Sequence, residues 1–253
     1  MVRIGKGGLT WVFGRRPVPM RLVSLLRRLS HQRDALLPEL SSVISTGAAL
    51  QNRFLSRSLA SVELGQWTLC AAALDYLEEQ VKRLKPRVIL ELGSGVSTVC
   101  LARYLQEVHG DSNSARLFSI EQDAGFSEET RQKLRSLGLD RNVRLIHAPL
   151  TRQVILGQST TCYSLPPGYL VEALGGARPE FVLIDGPASD QGRYGVLPLL
   201  RPVLSRRTAI LLDDALRDDE LRDAAVWSKL PYVRIKGYWL GGKGFLCGDV
   251  VGG

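Results

Sequence analysis

From about residue 58 the apolar positions of the chain switch repeatedly between two periods. Residues 66–84 (QWTLCAAALDYLEEQVKRL) place them at helical spacing and run into Lys85-Pro86, which predicts an amphipathic helix that stops there. Short apolar runs follow at 87–92, 116–121, 143–147, 181–185 and 208–213, each bounded by polar or turn residues and each read as a strand. Helical patterns lie between them, opening at Ser97 and running to about Gln106, then at 127–137, 193–204 and 217–229. The polar stretch 109–115 (HGDSNSA) reads as a turn with an insertion, and two more strands, 232–238 and 244–250, flank Gly241-Gly242 as a hairpin. Strands alternating with helices predict an α/β fold, a doubly wound, mostly parallel sheet that binds ligands beyond the carboxyl ends of its strands. The segment 152–178, rich in Thr, Pro and Gly, is too long for a simple connection, and insertions of that length usually carry function.

One junction stands out chemically. Residues 88–98 read VILELGSGVST: an apolar strand, then Gly93-Ser94-Gly95, then small polar residues, with Ser97 or Thr98 placed to cap the next helix. The glycines permit a tight turn with close backbone approach to a ligand. Gly-x-Gly-x-x-Gly would suit a pyrophosphate at the helix N-terminus, but Thr98 stands where the third glycine belongs. Glu91, two residues before the first glycine, would repel a pyrophosphate and attract an ammonium or sulfonium group.

Composition narrows this further. Hydrophobic residues make up 45% of the 253 and charged residues 23%, ordinary values for a globular domain. There is no run of 18 or more apolar residues, which argues against a transmembrane helix. The net charge of +8 is wholly local: residues 1–57 hold ten Lys or Arg against Asp34 and Glu39, while the remaining 196 residues hold 23 basic and 23 acidic side chains. The chain therefore divides into a basic N-terminal helical extension (1–57) and a neutral main domain (58–253), with no basic stripe of the kind a nucleic-acid enzyme carries. Within the extension, 20–37 (MRLVSLLRRLSHQRDALL) spaces its apolar residues as a helix. Three readings stay open for it: packing on the core or on a second copy in a homodimer, peripheral contact with an anionic membrane surface, and a targeting peptide. Arg27 and Arg28 interrupt its apolar stretch and disfavour a secretory signal. Cys70, Cys100, Cys162 and Cys247 form no Cys-x-x-Cys pair and read as small buried hydrophobes in a reducing, cytoplasmic setting.

Glu-x-Gly-x-Gly after an apolar strand resembles the first motif of the class I S-adenosylmethionine-dependent methyltransferases, and the resemblance extends over about 66–250. It implies a Rossmann-like seven-stranded sheet with an antiparallel last strand. Glu91, Gly93, Ser94, Gly95 and Thr98 would then cradle the methionyl and ribosyl parts of the cofactor, and Glu121, at the end of the second strand, would take the ribose hydroxyls. Asp123 is the alternative acid there, with a helix cap as its competing role. Relatives often carry an acid for the adenine amine after the third strand; this chain has His147-Ala148-Pro149 instead, so backbone around Ala148 would have to serve, and His147 is either a general base or a structural strand end.

Asp185 after the fourth strand and Asp213-Asp214 after the fifth resemble the catechol O-methyltransferase-like enzymes, in which an Asp and an Asp-Asn pair hold a divalent cation such as Mg²⁺ that acidifies the acceptor hydroxyl. The second Asp of the pair and Ala188, where a catalytic lysine often stands, depart from that pattern. Asp185 is accordingly a metal ligand, a wall of the cofactor pocket or the residue that positions the acceptor. Tyr163, Tyr169 and the pair Arg193-Tyr194 are candidates to line the acceptor pocket. Asp185-Gly186-Pro187-Ala188 lacks the Pro-Pro-aromatic run that stacks a flipped base, which again favours a small-molecule acceptor over nucleic acid. Two other function classes remain: a nicotinamide-dependent oxidoreductase, and a non-catalytic protein that binds the cofactor and a partner.

Overall fold

The computed structural model of the chain describes residues 69–110, 114–187, 193–241 and 243–252, and the backbone of 3–5 and 8–10. Strands β1 (Arg3–Gly5) and β2 (Gly8–Thr10) pair antiparallel. The expectations for the helix at 20–37, and for membrane or subunit contacts made by it, lie outside the described residues.

Helix α1 (Ala71–Leu84) ends where the sequence says it must: Lys85 adopts a left-handed conformation (φ 49°) directly before Pro86, and Lys82 and Arg83 in the last turn face the negative end of the helix dipole. Then β3 (Val88–Leu92), α2 (Val96–His109), β4 (Arg116–Glu121), α3 (Ala124–Ser136) and β5 (Val143–His147) build one half of the domain. The long segment after β5 is not irregular. It forms an antiparallel hairpin, β6 (Leu150–Ile155) and β7 (Gln158–Tyr163), and a short helix α4 (Tyr169–Ala173). The second half follows as β8 (Phe181–Ile184), α5 (Val196–Leu200), β9 (Ala209–Leu212), α6 (Asp218–Trp227), β10 (Val233–Trp239) and β11 (Phe245–Val250). Helix α5 is far shorter than the predicted 193–204, because Pro198 and Pro202 withhold two backbone donors from that run.

The seven main strands lie in the order β10-β11-β9-β8-β3-β4-β5. Pairing is parallel from β9 through β5, and β11 runs antiparallel to both β9 and β10, as the family resemblance implies. The central strands are buried on both faces. Leu90, Leu92, Val182, Ile184, Ile210 and Leu212 pack toward α5, α6 and Trp227, whereas Ile89, Leu117, Phe181, Leu183 and Leu211 pack toward α1 and α2. Stacking of Tyr76 on Trp239, with ring centroids 4.5 Å apart, joins α1 to the β10–β11 hairpin. Cys100, Cys162 and Cys247 are buried and no cysteine is paired. Among the described residues no helix is long and apolar enough to cross a membrane.

The direction of winding reverses between β3 and β8, the topological switch point where such sheets hold their ligands. The tips of these two strands nearly touch: a Cβ on Gly93 would lie 3.1 Å from the backbone nitrogen of Gly186.

Candidate functional site

The glycine turn is a hydrogen-bonded cage around two carboxylates. Gly93 has φ 90°, a conformation that favours glycine, and donates its N–H to Ile120 O at 2.8 Å, which ties the turn to β4. Ser94 N–H donates to Glu121 Oε2 at 2.6 Å, and Asp123 N–H to Glu121 Oε1 at 2.9 Å. Glu121 is thus fixed at the strand tip by two backbone amides, and each of its oxygens keeps a lone pair for a ribose hydroxyl. Asp123 caps α3 by accepting from Phe126 N–H at 2.9 Å, which is its helix-cap role rather than ribose binding.

Thr98 works behind the turn. Its hydroxyl accepts from Gly95 N–H at 2.9 Å and donates to Glu91 Oε2 at 2.6 Å, and the side chain is fully buried, so it holds the loop and the acid in place. Glu91 is also fully buried, and its Oε1 makes no hydrogen bond of good geometry. Burial pushes its pKa up to about 7; the hydroxyls of Ser97, Thr98 and Ser119 act against that rise and the charge of Glu121 adds to it. A buried carboxyl with a free oxygen is served either by a proton or by a cationic group of a ligand. The set of Glu91, the glycine turn and Glu121 therefore fits the ammonium and ribose of an adenosylated amino acid.

The backbone at Ala148 is already partly committed within the sheet. Its N–H donates to Glu121 O at 2.8 Å, so that donor is not open to an adenine ring. His147, at the end of the outermost strand β5, is exposed, and its Nε2 lies 3.2 Å from Gln122 O. Strands stand about 4.8 Å apart. Three of those spacings separate β5 from β8, which sets His147 well away from Asp185.

Asp185, Asp213 and Asp214 do converge, offering oxygen atoms within 4.8 Å of one another. The residue that organises them is Arg193, whose side chain is only 2% exposed. Its Nε donates to Pro187 O (3.1 Å), Nη1 to Asp213 O (2.8 Å) and Nη2 to Asp185 O (2.6 Å). Nη2 also lies 3.4 Å from Asp185 Oδ1 and 3.5 Å from Asp214 Oδ2, and Nη1 lies 3.9 Å from Glu220 Oε1. Its own N–H donates to Asp223 Oδ2 at 3.0 Å. Arg193 thus ties the tips of β8 and β9 to α6, through its guanidinium near Glu220 and its backbone N–H to Asp223. Arg217 and Lys243 reach Asp214 as well, at 2.9 and 3.5 Å. Burial and mutual repulsion push Asp185 up to about 7 and Asp213 up to about 8, with Arg193 opposing both shifts.

Asp185, Asp213 and Asp214 offer a divalent cation the right kind of donor, while Arg193, Arg217 and Lys243 already neutralise part of the charge of the cluster they form with Glu220 and Asp223. The sequence offered Arg193 only as half of an Arg-Tyr pair beside the acceptor; nothing near it in sequence reveals its partners at 213, 214, 220 and 223.

Residues 90–215, about half of the chain, match the family model of a methyltransferase domain. No curated protein matches the chain in sequence. Among solved structures the chain is similar to an O-methyltransferase from Bacillus cereus in complex with SAH, with TM-score 0.60 and 19% identity over 82% of this chain and 99% of that one. It is similar to the O-methyltransferase TomG from Streptomyces achromogenes, involved in tomaymycin synthesis and in complex with SAM, with TM-score 0.54 and 18% identity over 81% and 96%. A third is the SAH-bound methyltransferase PaMTH1 from Podospora anserina, with TM-score 0.55 and 13% identity over 86% and 96%. At these identities the likeness is one of fold.

Proposed function

The chain belongs to the class I S-adenosylmethionine-dependent methyltransferases, its domain matched over residues 90–215, and from that premise we propose that it methylates an oxygen of a small molecule. The observation that carries this reading is the cage at 91–98, in which one turn fixes Glu91 through Thr98 and Glu121 through Ser94 N–H. Two of the structural neighbours are O-methyltransferases bound to SAH or SAM, which supports the choice of oxygen.

When bound, the cofactor supplies an electrophilic methyl group and a good leaving group, so the protein has to orient and to move one proton. Gly93, Ser94 and Gly95 give the close backbone approach; Glu91 faces the ammonium and Glu121 the ribose. Asp185, about one-fifth exposed and with a pKa raised to about 7, stands at the switch point and takes the proton of the acceptor hydroxyl as its oxygen attacks. The bound cofactor would give up its methyl group to the acceptor oxygen and leave as the thioether, while the proton would end on the Asp185 carboxylate. Arg193 takes the charge-balancing role that a divalent cation has in catechol O-methyltransferase-like sites.

Calorimetry of the whole chain with S-adenosylhomocysteine, in EDTA and again with Mg²⁺, tests both parts. Saturable binding is expected in both conditions, and turnover of S-adenosylmethionine with a panel of phenols and hydroxy acids should be indifferent to EDTA. Absence of binding in both would overturn the cofactor assignment. Turnover that appears only with Mg²⁺ would overturn the role given to Arg193 and restore Asp185, Asp213 and Asp214 as metal ligands.

A further inference from the structure

Tyr163 closes the β6–β7 hairpin, an insertion between the third and fourth parallel strands of the sheet. Its backbone is pinned: Tyr163 pairs with Leu150 across the hairpin, and Gln153 Nε2 donates to its carbonyl at 2.9 Å. The side chain is fully buried in the core beneath the strand tips, yet its hydroxyl has no hydrogen-bond partner among the described residues. A phenol left so is destabilising by about 1–3 kcal/mol and needs an explanation.

Its position supplies one. A Cβ placed on Gly186 would lie 2.2 Å from Tyr163 Oη and 2.9 Å from Gly93 N, so the hydroxyl and the glycine turn both press on the space beside Gly186. The charged groups that act on the phenol are those of the site: Glu121, Arg193 and Asp185.

We propose that Tyr163 is a cofactor ligand, its hydroxyl hydrogen-bonding S-adenosylmethionine beside the point where the glycine turn meets Gly186. This assignment rests on the cofactor reading above. It gives the insertion a task, which is to bring a polar group to the cofactor from outside the parallel sheet, on the side where Ala148 replaces the usual acid.

Tyr163→Phe tests it, since the ring that packs the core is kept and only the oxygen is lost. Binding of S-adenosylhomocysteine and of 5′-methylthioadenosine, which lacks the amino-acid arm, is measured by calorimetry on wild type and variant, with thermal melting of both apo proteins. A loss of about fivefold to tenfold in S-adenosylhomocysteine affinity, the size of one neutral hydrogen bond, with an unchanged or higher melting temperature, is expected. If both ligands weaken, the contact is to the nucleoside part; if only the longer one weakens, it is to the amino-acid arm; either outcome supports the assignment. Equal affinity of variant and wild type for both ligands overturns it while leaving the cofactor reading intact, whereas failure of the wild type to bind overturns both. If the variant melts well below wild type, the same comparison is made with 3-fluorotyrosine incorporated in the wild-type chain. A fluorine resonance at residue 163 that stays unmoved by saturating S-adenosylhomocysteine then overturns the proposal.

Discussion

Glu91 carries two opposed consequences of burial. Its carboxyl is held near 7 rather than the usual 4.5, so the folded apo protein binds that proton more tightly than the unfolded chain does. The stability tied to it is present below about pH 4.5, declines as pH rises toward 7 and is lost above that. Glu91→Gln removes the effect: the variant should equal wild type near pH 5 and exceed it at pH 8 by up to about 3 kcal/mol in denaturant titrations. Cofactor binding moves the other way, because the ionised carboxylate is the form that meets an ammonium group. Wild-type affinity for S-adenosylhomocysteine should rise about tenfold from pH 6 to pH 8, as expected for one group titrating near 7, and the Gln variant should bind weakly with a flat profile. A flat profile in wild type would show that Glu91 does not meet the ligand's charge. The same residue scale marks what the sequence could tell. The convergence of Glu91, Gly93, Gly95 and Glu121 on one turn was legible because it follows from local spacing after a strand. Arg193 and Tyr163 were singled out only as candidates to line the acceptor pocket, because their partners lie far along the chain.

At the scale of elements, β4 and β5 lie where the apolar runs place them, and apart from the much shortened α5 the predicted helices keep their places with ends moved by only a few residues. The β6–β7 hairpin escaped the pattern for a specific reason. Its two-residue turn is Leu156-Gly157, with φ 51° and 78°, a geometry usually announced by Asn-Gly or Asp-Gly. Leucine in that left-handed region is strained by about 1 kcal/mol, and Leu156 is half exposed, so little burial offsets the strain. Leu156→Asn should therefore stabilise the protein by about 0.5–1 kcal/mol, read as a rise of a few degrees in melting temperature. A fall would mean that Leu156 and its exposed neighbour Val154 are covered in the native protein. The acid cluster also belongs to this scale. Sequence order places Asp185 and Asp213-Asp214 at adjacent strand ends, but only the packing of α6 brings Glu220 to the guanidinium of Arg193 and Asp223 to its backbone N–H.

The whole molecule is closed by a strand that arrives out of order. β11 lies between β9 and β10 and runs against both, and Phe245 at its start completes the ring cluster with Tyr76 and Trp239. Without it β9 has an open edge, and an unpaired apolar edge invites association. A chain ending at Gly244 should therefore be recovered mainly in the insoluble fraction. If it proves soluble and monomeric by light scattering, β10 must be able to pair with β9 directly.

That arrangement also fixes a timetable during translation. The turn that begins the cofactor site is made before residue 100, yet the sheet around it stays open on one side until Phe245–Val250 has left the ribosome and slipped between two strands already present. Domains of this kind fold as units, so ribosome-bound chains halted before β11 should remain protease-sensitive along their whole length, and S-adenosylhomocysteine should protect only those that have passed it.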